Sequence, residues 1–227
     1  MNRLLEVLSA ENRNRILALA RHVPLPVRTP LHGADEPAAF VYFLTSGVAS
    51  VVIELVNGGS AEVALVGSEG MTASLDLLGP ALTPARCFIQ MEATAYRLPM
   101  AEMKKIFLDS EEVRSRMLEL VQQQSMSMSQ LAACNKLHES EPRLARWLLM
   151  VQDRVQSDEL SLTQEFLAQM LGTQRTTVVM VAGAFQRSGI ITYSRGKVTI
   201  LSRERLISAA CDCYGVAHRL YSNLYRT

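Results

Sequence analysis

The side chains best suited to metal or redox chemistry are four cysteines, Cys87, Cys134, Cys211 and Cys213, and four histidines, His22, His32, His138 and His218. No two histidines have the i, i+4 or His-x-x-His spacing that assembles a zinc site. No four cysteines lie close enough in sequence to hold an iron–sulfur cluster. Cys211-x-Cys213 invites a metal or redox role, but it reads more simply as two small residues of the C-terminal segment. The cysteines form no disulfide framework of the kind that secreted domains use. A phosphate-cradling glycine loop, a nucleophile elbow and a carboxylate pair at catalytic spacing are also missing. The expectation is a protein that is not an enzyme, with no catalytic residue, no metal site, and no haem or other resident cofactor.

The chemistry that does fit is recognition of a polyanion. Residues 140–227 carry 11 Lys/Arg against 7 Asp/Glu, net +4, whereas residues 1–139 carry 12 against 15, net −3. Within the positive end, residues 162–181 have the spacing of a helix-turn-helix. Thr163 can cap a first helix, and Gly172 falls where a helix end needs a left-handed backbone angle. Thr173 can cap a second helix. Leu167, Leu171, Val178 and Val181 sit where two crossing helices bury apolar groups, and Ala168 is small at the crossing. The second helix runs to about residue 187. Residues 190–201 then read as two β-rich runs around a tight turn of Arg195, Gly196 and Lys197. That is a wing with cations at its tip, where a phosphate backbone can lie.

The remaining elements must position this motif. Ser9 caps a helix to about Arg21, and Pro24, Pro26 and Pro30 stop it. Residues 40–98 change to short β-rich runs: 41–44, 48–56, 61–66, 87–92 and 94–98. Asn57-Gly58-Gly59 is a strong hairpin signal, and a short helix is expected near 72–78. Many short strands at regular spacing argue for an antiparallel roll or barrel. Residues 101–108 form a short helix, and Ser110-Glu111-Glu112 starts a long one reaching about His138. Along it Val113, Met117, Leu120, Gln124, Met128, Leu131 and Asn135 recur by threes and fours. This narrow stripe is expected to be buried against a second subunit as a coiled-coil seam. Glu139-Ser140-Glu141-Pro142 reads as a hinge, and residues 144–155 as a further helix with Trp147, Leu148 and Val151 in its core. The reading is therefore an α+β chain of three parts: an antiparallel β-roll (1–109), a dimerisation helix (110–139) and a winged helix-turn-helix domain (140–227).

Roll, long helix and winged helix-turn-helix, in that order, resemble the Crp/Fnr family of the cyclic-AMP receptor protein and the fumarate-nitrate reduction regulator. The resemblance is strongest at residues 162–201, good at Tyr42-Phe43-Leu44-Thr45-Ser46-Gly47, and supported by Glu141-Pro142-Arg143-Leu144-Ala145. It implies a homodimeric transcription regulator that reads a near-palindromic duplex in the major groove, contacts RNA polymerase, and senses a signal at a cyclic-nucleotide-binding-like roll. By that resemblance the base-contacting residues are Gln174, Arg175 and Thr176, then Val179 and Met180. Arg175 matches the family's guanine-reading arginine. Thr176 and Met180 stand where the family often has glutamate and arginine. Thr163, Thr177, Arg195 and Lys197 are candidates for phosphate contacts.

The same resemblance locates an effector pocket at Gly70, Met71, Thr72, Arg86, Cys87, Met128 and Ser129. Met71 stands where a ribose-binding glutamate is expected, and Arg86 is followed by Cys87 rather than Ser or Thr. Both departures argue against cyclic AMP and leave the effector unassigned. No apolar run approaches the roughly 20 residues of a membrane span, and the N-terminus has no long apolar core. A cytoplasmic protein without a membrane partner is the expectation.

Overall fold

The computed structural model describes residues 1–226. Its N-terminal half is an antiparallel roll. Two helices, α1 (Arg3–Glu6) and α2 (Ala10–Leu19), precede strands β1 (Arg21–Leu25), β2 (Pro30–His32), β3 (Phe40–Glu54) and β4 (Ser60–Val66). A 3-10 turn (Ser74–Leu77) leads into β5 (Ala85–Pro99). The sheet order is β1-β5-β3-β4, with β2 also on β5 and every pairing antiparallel. Ser9 caps α2 as expected, but the helix stops at Leu19, and Arg21 already pairs with Arg97. Pro24 is tolerated because β1 is an edge strand, where a missing N–H leaves no ladder partner unsatisfied.

The two pairs of runs expected around Ser46-Gly47 and Ala93 are in fact two long strands, β3 and β5. Register shifts between Leu44 and Ala49 bend β3. The bend needs Gly47: its φ is +73°, and a Cβ there would lie 2.3 Å from the carbonyl oxygen of Glu92. Asn57-Gly58-Gly59 turns the chain between β3 and β4 as expected, with Gly58 at φ +82°. The helix expected near 72–78 is only the 3-10 turn.

Helices α3 (Met100–Asp109), α4 (Glu111–Leu137) and α5 (Ser140–Val155) follow. Ser110 caps α4 by accepting from the N–H of Val113 at 3.3 Å. At 27 residues this helix is about 40 Å long. Its stripe does not do what was expected along its whole length. Val113, Met117 and Leu120 are buried in the chain's own core with Leu4, Phe43, Leu98 and Met103. The face left to solvent carries Leu118 and Met126 instead.

The C-terminal half comprises β6 (Glu159–Ser161), α6 (Gln164–Leu171), α7 (Arg175–Arg187), β7 (Ile191–Ser194), β8 (Lys197–Ile200), α8 (Arg203–Ala209) and α9 (Cys213–Asn223). Its core is continuous with the roll: Trp147, Leu148, Leu167 and Phe185 share one cluster with Val48, Val52, Leu65 and Phe88. Two polar contacts cross the same boundary. The Trp147 indole N–H donates to Glu62 Oε1 at 2.7 Å, and Arg154 pairs with Glu69 at 2.9 Å, both side chains nearly fully buried. The chain then returns to its start, with Leu224 and Tyr225 buried beside Leu4 and Leu5.

Candidate nucleic-acid interface

Local chemistry fixes α6 and α7. Thr163 Oγ1 accepts from the N–H of Phe166 at 3.1 Å, capping α6. Gly172 ends that helix at φ +57°, and the N–H of Thr173 closes onto the Ala168 carbonyl at 3.0 Å, the pairing of a Schellman end. Thr173 therefore terminates α6 rather than capping α7. The cap of α7 is Gln174, which makes no side-chain bond to the helix. Leu167, Leu171, Val178, Val181 and Ala168 are all buried at the crossing, as expected.

What remains outside is the recognition surface. Gln174, Arg175 and Thr176 are exposed and Thr177 is half-buried. Val179 and Met180 are 44% and 67% exposed. The first turn of α7 holds no acid. Its N–H groups and the positive end of its dipole face outward, an arrangement that favours phosphate.

The wing lies beside the start of α6. Ser194 and Lys197 pair across a two-residue loop. The loop residues Arg195 and Gly196 have φ of +50° and +76°, the angles of a type I′ hairpin turn. Lys197 thus opens β8 rather than sitting in the turn. The Tyr193 hydroxyl donates to the Leu162 carbonyl at 2.9 Å and pins the wing to the start of α6. A Cβ on Gly196 would come within 3.5 Å of Thr163 Cγ2, so Thr163 and the wing tip form one rim. Arg195 is exposed. Lys197 is paired at 2.6 Å with Glu159 on β6, both groups about half exposed. Sequence reasoning missed Glu159, because a three-residue strand carries no readable periodicity.

Comparison with known proteins adds to this geometry. The family of Crp-like helix-turn-helix domains matches residues 142–209. The chain carries a Crp-like helix-turn-helix domain. Among solved structures, a regulator assigned to the Crp/Fnr family from Eubacterium rectale ATCC 33656 is similar at a TM-score of 0.73, 21% identity, over 91% of this chain and 96% of that one. FixK2 of Bradyrhizobium japonicum is similar at 0.70 and 15% identity, over 85% and 98%. The c-di-GMP-responsive global regulator CLP of Xanthomonas campestris is similar at 0.69 and 16% identity, over 86% and 100%. The chain thus has the Crp/Fnr-like fold over most of its length. No curated protein matches it by sequence.

In this Crp/Fnr-like fold the residues expected around an effector are only partly brought together. A small cleft of about 40 Å³ between roll and α4 is lined by His32, Met71, Ser74, Gln124 and Met128 among others. Met71 and Met128 are therefore at it. Thr72 is one residue away, but its hydroxyl accepts from the Tyr42 N–H at 3.1 Å. Gly70 lies against Leu120, where a Cβ would clash at 2.7 Å. Arg86 does not line the cleft: it pairs with Glu54 at 2.6 Å and lies over the Phe88 ring at 4.6 Å. Cys87 points into the roll interior with Leu44, Ala49 and Ile89, and burial pushes its thiol up to about 12, so it is an inert thiol. Ser129 is exposed on α4 and donates to the Ser125 carbonyl at 3.0 Å. Ser74 and Gln124, joined at 2.5 Å, line the cleft and were not foreseen.

A second small cleft, about 50 Å³, opens between β4, α4 and α5, where Glu62, Gln123, Ser127, Arg146 and Trp147 meet. Nearby, Cys134, His138, Cys211 and Cys213 converge, with ligand atoms all within 4.8 Å of one another. Histidine-to-histidine spacing alone misses this group. The i, i+4 pair that exists here is Cys134 with His138, and its partners lie over 70 residues away.

Proposed function

We propose that this chain is a homodimeric, sequence-specific transcription regulator, with residues 174–187 entering the major groove and the wing gripping the flanking phosphates. The observations that carry the reading are the exposed, acid-free start of α7 and the rim that Thr163 forms with the cationic wing of Arg195 and Lys197. Arg175 supplies bidentate readout of guanine. Gln174 and Thr176 flank it, Val179 and Met180 meet thymine methyls or the groove wall, and Thr177 joins the phosphate contacts. Dimerisation runs along the solvent face of α4 around Leu118 and Met126, so two recognition helices address half-sites about one helical turn apart. In parts, the protein is a sensor roll over 1–109, a dimer helix over 110–139 and a DNA-binding domain over 140–227.

Signal control at the roll is supported by the cleft holding Met71, Gln124 and Met128, and by the first turn of α7 lying across an open cleft from Gly58 and Ser60 of the β3–β4 hairpin. Met71 and Cys87 argue against cyclic AMP, and the effector is unassigned. The protein acts without catalysis, works in the cytoplasm, and contacts RNA polymerase. Among the described residues no helix is long and apolar enough to cross a membrane.

Selection of full-length protein against random duplexes tests this. Enriched sequences should be near-palindromic, and affinity for them should fall steeply with salt, by about one log unit per log unit of salt for each phosphate neutralised. Absence of salt-sensitive binding to any duplex, with or without cell extract as a source of effector, would overturn it.

A further inference from the structure

The geometry points to a tetrahedral Cys3His site for a divalent transition-metal ion of zinc type, made by Cys134, His138, Cys211 and Cys213. Cys134 and His138 lie one turn apart at the end of α4, on the same face. Cys211 and Cys213 flank Asp212 at the start of α9. Cys134 Sγ is 3.5 Å from Cys211 Sγ, and Cys213 Sγ is 3.6 Å from His138 Nδ1. A zinc ion at about 2.3 Å from sulfur and about 2.0–2.1 Å from nitrogen sets tetrahedral ligand atoms roughly 3.5–3.8 Å apart. Both edges fall there. A disulfide requires about 2.05 Å, so the sulfurs are grouped without being bonded.

The surroundings fit an ion better than an apolar core. Cys134, Cys211 and Cys213 make a buried cluster of their own, with no buried aliphatic side chain in it. The histidine is already oriented: Nδ1 faces Cys213, and Nε2 lies 3.5 Å from Asp212 Oδ1. Metal-bound histidines are held in this way by a carboxylate on the other ring nitrogen. Gln130 Nε2 donates to Cys213 Sγ at 3.1 Å, a bond that favours a thiolate. Three thiolates and a dication leave one negative charge. Arg143 and Arg146 are buried on α5, their Nε atoms without partners, and both act electrostatically on Cys134.

Sulfur-rich donors select zinc over magnesium or calcium, and four protein ligands make a closed, structural centre rather than a catalytic one. The ligands come from both sides of the break between α4 and α5. The ion therefore ties the long helix to the last helix of the DNA-binding half. This inference does not depend on the DNA-binding reading, and failure of either leaves the other standing.

The test is metal analysis of full-length protein purified without chelator, followed by stripping and titration with cobalt(II). One equivalent of zinc per chain is expected, and cobalt should give the intense visible bands of tetrahedral coordination with a thiolate charge-transfer band in the near ultraviolet. Cys213→Ser and His138→Ala should lose stoichiometric binding, and with it the rise in Tm that metal produces. His138→Cys should keep one equivalent with an all-sulfur spectrum, which separates ligation from misfolding. Asp212→Asn should weaken binding about tenfold, the low end of outer-shell effects. Wild-type protein that neither carries zinc nor takes up cobalt would overturn the assignment. So would equal binding by Cys213→Ser and His138→Ala, or a Cys134–Cys211 disulfide in freshly alkylated protein.

Discussion

Among single residues, Arg175 and Lys197 carry different kinds of information. Arg175→Ala should erase preference at one base position of the selected site, worth about 1–3 kcal/mol there. Lys197→Ala should lower affinity for every duplex alike and flatten the salt slope by about one unit. Because Lys197 already pairs with Glu159, a duplex must displace that carboxylate. Glu159→Gln should therefore tighten binding to all sequences, with the gain fading at high salt. Fluorescence anisotropy across a salt series reads all three, and equal shifts for Arg175→Ala and Lys197→Ala on every site would refute the division. These residues were legible because capping, turn and crossing positions within a helix-turn-helix are local offsets. Glu159 and the Cys134–Cys211 approach were not, since both depend on segments distant in sequence meeting in space.

At the level of elements, α4 separates what periodicity can say from what it cannot. A stripe of apolar residues states that a face is buried, not against what. Val113, Met117 and Leu120 bury against the roll, whereas Leu118 remains 48% exposed. Met117→Ala should cost about 2–5 kcal/mol of stability and leave subunit number unchanged. Leu118→Glu should change stability of the isolated chain by no more than about 0.5 kcal/mol and convert dimers to monomers in sedimentation. The opposite pattern would return the seam to the original stripe. The two long strands were likewise half legible. Their runs and turns were visible, but Gly47 reads in sequence as a loop, and only its close approach to Glu92 makes it a bend within one strand.

Across the whole molecule, Glu62 joins the two halves. It is fully enclosed, and desolvation pushes its carboxyl up to about 7, against the lowering effects of its bonds to Ser50 and Trp147 and of the Arg146 and Arg154 charges on α5. Ser50 Oγ lies 2.5 Å from Glu62 Oε2 and 2.6 Å from Gln90 Oε1. One hydroxyl proton cannot serve both; with the Gln90 amide turned over, its Nε2, otherwise without a partner, donates to Ser50, which donates to Glu62. Because desolvation raises the carboxyl, the folded state holds a proton that the unfolded chain gives up near 4.5. This stabilisation is complete below about pH 4.5 and lost as pH rises through about 7, on the order of 3 kcal/mol across that window. Trp147 is the only tryptophan and bonds to this carboxylate, so its fluorescence should shift with a midpoint near pH 7. Glu62→Gln should abolish the shift and flatten the pH dependence of unfolding; a midpoint unaltered by that substitution would sink the assignment.

The return of the chain to its own beginning has a consequence for biosynthesis. Leu224 and Tyr225 are buried in one cluster with Leu4 and Leu5, and the Arg3 guanidinium donates to the carbonyls of Tyr221 and Leu224 at 3.2 and 3.1 Å. A nascent chain still attached to the ribosome lacks these contacts until residue 225 has emerged. The packing of α1 against residues 221–225 is therefore among the last contacts that a chain made from its N-terminus can form.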